Sequence, residues 1–294
     1  MIRTAFGSAC AVVVLALWLS PGLASASATA GGIAKCPSTL ADSIPQRPSA
    51  APDGSEFAGR IGSDGAQLRE VAIKEEILRG NVPQFLLGLK PVTLTQRLAN
   101  GREVTATICV MPDYLAVGSD RDFLRVPMNR HTAAEIADHL GFMLPTRKMV
   151  DAIYEQSDVR LRPQPMQPGP AMASTDYYVR HNRSVAEQIA SLNAPLGALV
   201  SGNKKDVVIS NRLAAQPGRI AIYGWHRPGG APIQPLSTVH GASHADYSHG
   251  IRLVSDTVYI DGRPADIREV LKDPVLAAVL SDEGPVRTAA LLGT

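Results

Sequence analysis

Aromatic side chains and net charge are both scarce in this chain. Phenylalanine, tryptophan and tyrosine make up 5% of its 294 residues, and the formal net charge at pH 7 is only +2. Few aromatic residues argue against an extended stacking platform for sugars or bases. A nucleic-acid-binding protein would normally show a basic excess or a basic stripe, and neither is present. We therefore expect no nucleic-acid partner.

Several familiar catalytic signatures are also missing. The chain has no Gly-x-Ser-x-Gly elbow, no His-Glu-x-x-His, no P-loop and no Gly-x-Gly-x-x-Gly. Each of these motifs places a nucleophile, a metal or a phosphate in a defined local structure. Their absence argues against an α/β-hydrolase, a zincin and a nucleotide-dependent enzyme.

Long apolar runs are confined to the start of the chain. A short basic segment, Met1-Ile2-Arg3, precedes an apolar run at 11–19, and small residues follow Pro21-Gly22. This order predicts a secretory signal peptide over residues 1–26, cleaved after Ala26 or Ala28. A spanning helix needs about 20 apolar residues, and the uninterrupted run is shorter. We therefore expect a secreted or periplasmic protein with no stable membrane span after cleavage.

The chain has only three cysteines, and the predicted cleavage removes Cys10. Cys36 and Cys109 remain, and two thiols in an oxidising compartment tend to pair. The sequence therefore predicts a Cys36–Cys109 disulfide. The alternative is one buried free thiol and one thiol in a disordered tail.

The rest of the chain divides into a leader and a folded region. Residues 27–60 are rich in Ala, Ser, Gly and Pro, which predicts a flexible leader. Residues 61–294 predict a single α+β domain with a helical middle section. Short apolar runs beyond residue 199 predict a mainly antiparallel or mixed sheet in the C-terminal half.

Local signals place several elements in this domain. Asn100-Gly101 between two β-branched runs predicts a hairpin. Thr132 with Glu135, and Ser184 with Glu187, have the spacing of capping boxes that begin helices. The proline-rich passage 163–170 predicts a surface loop or a lid.

Four of the seven histidines lie between residues 226 and 249. Three of them, His240, His244 and His249, share ten residues with Asp246 and Tyr247. Imidazole transfers protons near neutral pH and is the commonest metal ligand in proteins. This histidine-rich segment is the candidate site.

Three interpretations of the segment remain open. His240, His244 and His249, or two of them with Asp246, could hold zinc and leave an open position for water. Alternatively, Asp246 could orient one histidine as a general base without a metal, while Tyr247 or a second histidine serves as the acid. The third interpretation is a polar turn in which Asp246 and Ser248 cap backbone groups and the histidines are solvated.

A second group of polar residues lies upstream, at strand ends where scaffolds usually present working groups. Lys204 and Lys205 could hold an anionic substrate, and Trp225 could stack on a flat group. Alternatively, the lysine pair is a solvated edge and Trp225 belongs to the core. The predicted catalytic set is His240, Asp246, His249 and His226. The predicted substrate-binding set is Lys204, Lys205, Trp225, Tyr247 and Arg252.

One short segment resembles a known catalytic signature. His240-Gly241 followed by 248–253, Ser-His-Gly-Ile-Arg-Leu, is similar to the signature of the YkuD-type L,D-transpeptidases, which act on peptidoglycan. That family places a nucleophilic cysteine after the second His-Gly, whereas here Ile251 follows Gly250. The gap between the two His-Gly pairs is also short. The resemblance covers a dozen residues, supplies no nucleophile, and implies only an envelope substrate.

The sequence thus favours an exported hydrolase or lyase that acts on an envelope or extracellular polymer, either polysaccharide or peptidoglycan, through the His/Asp cluster. One alternative is a non-catalytic periplasmic or secreted binding protein. Another is a metal-binding protein that uses the same histidines. The sequence leaves the cofactor open, and zinc is one candidate.

Overall fold

The computed structural model describes residues 1–2 and 32–287. Its helices and strands confirm the predicted α+β class. The helices in the described part are α1 (Gly54–Arg60), α2 (Ala66–Leu78), α3 (Arg130–His139), α4 (Arg147–Gln156), α5 (Thr175–Ser191), α6 (Arg212–Ala215), α7 (Ile267–Lys272) and α8 (Ala277–Leu280). The strands are β1 (Lys90–Arg97), β2 (Glu103–Val110), β3 (Ala116–Gly118), β4 (Phe123–Arg125), β5 (Phe142–Met143), β6 (Val159–Arg160), β7 (Val200–Ser201), β8 (Lys205–Val207), β9 (Ile222–His226), β10 (Pro232–Ser237), β11 (His249–Gly250), β12 (Val254–Ile260) and β13 (Arg263–Asp266).

Most of the predicted signal peptide, including Cys10 and both candidate cleavage sites, lies outside the described residues. Within the described part, no helix has the length and apolar character needed to cross a bilayer.

Two sheets form the framework. In the five-stranded sheet the order is β1-β2-β12-β13, and β5 also pairs with β12. In the four-stranded sheet the order is β10-β9-β8-β11, where β11 runs parallel to β8 and the other pairs are antiparallel. The expectation of a mainly antiparallel or mixed sheet in the C-terminal half is therefore confirmed.

The predicted hairpin is present as β1 and β2, which pair in register from Lys90↔Val110 to Arg97↔Glu103. Gly101 in its turn has φ +81°, a conformation that glycine adopts without strain. The side chain of Asn100 accepts a hydrogen bond from Arg102 N at 3.0 Å. Local turn chemistry therefore sets this part of the fold.

The predicted helix starts are wrong at two places. Helix α3 is capped by Asn129, whose side chain accepts from Thr132 N, so Thr132 lies inside the first turn. Helix α5 is capped by Ser174 and begins at Thr175, nine residues before Ser184. Asn and Ser are good caps because their short side chains reach the unpaired N–H groups of the first turn. In α5, Ser184 is an interior residue.

The region expected to be a flexible leader packs on the core from about residue 36 onward. Cys36, Ile44 and Phe57 belong to the main hydrophobic cluster. A side chain at Gly54 would lie 2.5 Å from the backbone of Phe123 and Leu124, so α1 sits directly on β4. The abundance of small residues and prolines predicted a flexible segment, but a few buried apolar side chains anchor it on the core.

The predicted Cys36–Cys109 disulfide is confirmed. Its Cα atoms are 5.8 Å apart, and both cysteines are buried. Cys109 lies on β2, an inner strand of the five-stranded sheet. The bridge therefore ties the N-terminal segment to the centre of the fold.

Candidate functional site

The histidine-rich segment forms a loop that leads from β10 into β11. Its start is anchored through backbone bonds at His240 O, which accepts from Ile220 N, and at Ala242. Ala242 N donates to Gly218 O, and its carbonyl accepts from Arg130 N. At its end, His249 pairs with Lys205 of β8. Anchoring at both ends fixes the loop against the edge of the four-stranded sheet.

The structure brings His240, His244, Asp246 and His249 together. The His244 ring stacks on His240 with centroids 4.3 Å apart, and its plane lies edge-on to His249 at 5.5 Å. His244 Nε2 is 3.3 Å from Asp246 Oδ2. One ligand atom from each of His244, Asp246 and His249 lies within 4.8 Å of the others, a spacing that suits a metal ion. His240 stays outside this three-residue group.

Asp246 is held rigidly by Ser248. Its Oδ1 accepts from Ser248 N at 2.8 Å and from Ser248 Oγ at 2.5 Å, which is the turn geometry that aspartate favours. Burial alone would raise the pKa of Asp246. The hydrogen bond of His244, the charge of His249 and the Ser248 donors together hold it well below its usual range. Asp246 is therefore an ionised carboxylate at neutral pH.

His249 is wholly buried, and neither of its ring nitrogens has a hydrogen-bond partner. Burial lowers its pKa to about 4, against the opposing charge of Asp246. Burial and the neighbouring His244 also lower the pKa of His240. A buried polar group without a partner costs about 1–3 kcal/mol. A neutral imidazole left unpaired beside an ionised carboxylate has the protonation state that metal binding requires.

The predicted substrate-binding residues divide between the edge of this site and the core. Lys205 Nζ lies 5.2 Å from the centroid of the Trp225 ring. Lys204 is 1% exposed and donates from Nζ to Tyr247 O at 2.6 Å. Tyr247 is also buried, and its hydroxyl accepts from Met166 N at 2.7 Å. Among these four residues, only Lys205 is more than marginally exposed.

His226 and Arg252 do not join the cluster in the described contacts. His226 Nε2 is 3.0 Å from Asp151 Oδ1, and its ring stacks on Tyr154 with centroids 4.5 Å apart. Arg252 is fully buried and donates to the backbone carbonyls of Met111 and Val200. Neither residue is therefore brought to the cluster, and Arg252 instead links two backbone segments of the core.

Sequence reasoning missed two buried polar side chains that have no hydrogen-bond partner, His181 and Asn203. His181 is 0% exposed, has no partner at either ring nitrogen, and lies 5.1 Å from the Tyr247 ring centroid. Burial and the charge of Lys204 lower its pKa to about 2. Asn203 is 1% exposed, and neither amide atom has a partner. The only sequence signal was the Gly202-Asn203 pair before Lys204, because His181 stands alone in an ordinary helix.

Replacing Lys204 by methionine tests whether this buried lysine loses its proton near neutral pH. Burial, followed by the charge of Arg125, lowers the pKa of Lys204 to about 7 from its ordinary 10.5. Between these values the unfolded chain holds a proton that the folded chain has lost, so wild-type stability rises with pH. The free energy of unfolding of the wild type should therefore rise by about 2 kcal/mol between pH 7 and pH 9 relative to Lys204→Met.

Urea unfolding across that pH range measures the difference. Lys205→Met is the matched control, because Lys205 is the more exposed neighbour. A stability difference for Lys204→Met that does not change with pH would contradict a near-neutral pKa for the buried lysine.

Comparisons with known proteins identify no relative. No protein-family model matches the chain, and no curated protein or solved structure matches it at a significant level.

Proposed function

We propose that this protein is an exported, metal-dependent hydrolase that acts on an envelope or extracellular polymer. Its centre is a divalent cation, zinc by donor chemistry, held by His244, Asp246 and His249. The observation that carries the proposal is the wholly buried His249, unpaired at both ring nitrogens and within reach of two further ligands. Residues 1–26 as a signal peptide and the Cys36–Cys109 bridge support export.

Three protein ligands leave a position for water, and zinc bound in this way supplies hydroxide near neutral pH. The residues around the proposed metal site have different roles. Ser248 orients Asp246 through two hydrogen bonds to Oδ1, which leaves Oδ2 on the side of His244. His240, neutral and stacked on His244, is placed to accept or return a proton during cleavage. Lys205, whose Nζ lies over the buried Trp225 ring, is the neighbouring side chain available to contact substrate.

Metal-free acid–base chemistry is the closest rival, and the 3.3 Å contact between His244 and Asp246 favours it. In that arrangement Asp246 would orient His244 as a general base. The rival leaves His249 unpaired in the core, whereas a metal gives one of its nitrogens a partner. For this reason we favour the metal-dependent reaction.

The test is turnover of polymer by the mature protein. Zinc-supplemented protein is incubated with purified peptidoglycan and with bacterial polysaccharide, and soluble products are separated by chromatography. We expect His249→Ala to lower the rate by at least about 100-fold, because a metal-bound nucleophile is lost. His139→Ala is the matched control, since His139 is an exposed residue in the last turn of α3.

Three outcomes separate the alternatives. Product release that chelation abolishes supports the proposal. Product release that persists in chelator and in His249→Ala contradicts it and favours the metal-free dyad. Sedimentation with the polymer without any product would instead favour the binding protein.

A further inference from the structure

A pocket of about 510 Å³, separate from the histidine cluster, lies between α4 and the end of β9. It is lined by Asp151, Tyr154, Glu155, Arg160, Tyr223, His226 and the turn Pro228–Gly230. We propose that this pocket binds an amino acid or a short peptide with both ends free. Asp151 and Glu155 hold the ammonium group, and Arg160 holds the carboxylate. This inference does not depend on the metal-dependent hydrolase proposed above.

Asp151 is positioned to receive a cation. Its Oδ1 already accepts from the Tyr223 hydroxyl at 2.8 Å and lies 3.0 Å from His226 Nε2. Both contacts involve the same oxygen, so Oδ2 is left for a ligand. The Asp151 side chain is 40% exposed, and no lysine or arginine forms an ion pair with it in residues 32–287. Two fixed neighbours therefore orient a carboxylate that still has an accessible oxygen.

Glu155 adds a second negative charge to the same wall. It lies four residues after Asp151 on α4, so both side chains project from one face of the helix. Like charges at this spacing destabilise a helix. In the described chain, Glu155 also has no lysine or arginine ion pair. An ammonium group between the two carboxylates would relieve the repulsion.

Arg160 supplies the opposite charge at the same pocket. Its guanidinium lies over the Tyr154 ring, 5.5 Å from the centroid, and donates through one amino group to the Glu155 carbonyl. A guanidinium has five N–H donors in a planar fork that matches a carboxylate. The stacked ring and the single backbone bond hold Arg160 in place while other donors stay available.

The arrangement of charges defines the ligand class. Two carboxylates and one guanidinium border a single pocket, so a ligand with both charges is matched better than an amine or an acid alone. Pockets for small molecules usually measure about 300–1,000 Å³, and this one has room for more than one residue. The ring of His226, 2% exposed and stacked on Tyr154, forms a rigid side of the pocket. A free amino acid or a dipeptide fits these constraints.

Calorimetric titration of the full mature protein with alanyl-alanine tests the inference. The same titration is run with N-acetyl-alanyl-alanine, which lacks the ammonium group, and with alanyl-alanine amide, which lacks the carboxylate. We expect the free dipeptide to bind and each blocked form to bind at least about tenfold more weakly. Asp151→Asn and Arg160→Gln should cause losses of the same size for the free dipeptide.

Two controls keep the result specific. Asp151→Asn retains a carbonyl oxygen for Tyr223 and His226, and circular dichroism checks that the variant is folded. Arg162→Gln removes an exposed arginine that does not line the pocket, and His249→Ala removes the metal ligand; both should leave dipeptide affinity unchanged. Equal binding of all three probes, or no binding of the free dipeptide up to about 10 mM, would overturn the inference.

Discussion

Replacing Cys36 and Cys109 together by alanine is expected to lower the free energy of unfolding by about 4 kcal/mol. The bridge joins residues 73 positions apart, so its loss frees a long loop in the unfolded chain. The folded state also loses packing in the double variant, because both cysteines lie in the main hydrophobic cluster. Urea unfolding followed by circular dichroism measures the change.

The disulfide prediction has an internal control. Unfolding of the wild-type protein in a strong reductant should give a stability close to that of the double-alanine variant. The N-terminal segment should also become the first part of the chain to exchange its amide hydrogens, because the bridge ties it to β2. A double variant within about 1 kcal/mol of the oxidised wild type would show that the contacts of Ile44 and Phe57 alone hold this segment.

Replacing Asp113 by asparagine is expected to lower the free energy of unfolding by about 3–5 kcal/mol. Asp113 and Arg125 form an ion pair whose side chains are 3% and 2% exposed, with Arg125 Nη2 2.5 Å from Asp113 Oδ2. Arg125 Nε adds two contacts to the same carboxylate, at 3.0 and 3.2 Å. Removing one charge leaves the other uncompensated in the core, and the uncompensated charge is the source of the large cost.

A double replacement separates this cause from loss of packing. Asp113→Leu with Arg125→Met removes both charges and keeps apolar bulk, so it should be less destabilised than Asp113→Asn. Neutral pairs of this kind often match or exceed the stability of a buried ion pair. A double variant at least as destabilised as the single one would contradict the explanation by an unpaired charge. Thermal and urea unfolding at pH 7 both provide the comparison.

The elements that sequence reasoning located correctly depend on local chemistry. The Asn100-Gly101 turn has a positive φ angle at glycine and joins two paired strands. The helix starts at Asn129 and Ser174 were missed because neither cap has Glu or Gln three residues later, whereas Thr132 and Ser184 inside the helices do. Which of them caps a helix is decided by how the preceding chain packs, and the spacing alone does not contain that information.

The candidate site was predictable where its residues are neighbours in sequence. His240, His244, Asp246 and His249 lie within ten residues, and a tight loop necessarily keeps them close. The partners of His226 were not predictable, because Asp151 is 75 residues away. The division between Trp225 and His226 does not follow from regular strand alternation, because Trp225 has φ +55° and both Tyr223 and His226 reach Asp151. Trp225 lies near Tyr247, whereas His226 stacks on Tyr154.

Equilibrium dialysis of the protein against zinc, with metal content measured by mass spectrometry, tests the metal centre most directly. The proposed site predicts one zinc ion per chain, lost in His244→Ala and in His249→Ala and retained in the exposed-histidine control His139→Ala. Ligand removal usually weakens zinc binding severely, because structural and catalytic sites need three or four protein donors. Absence of stoichiometric zinc in the wild type, or zinc retained in His249→Ala at the wild-type level, would contradict a metal centre at His244, Asp246 and His249.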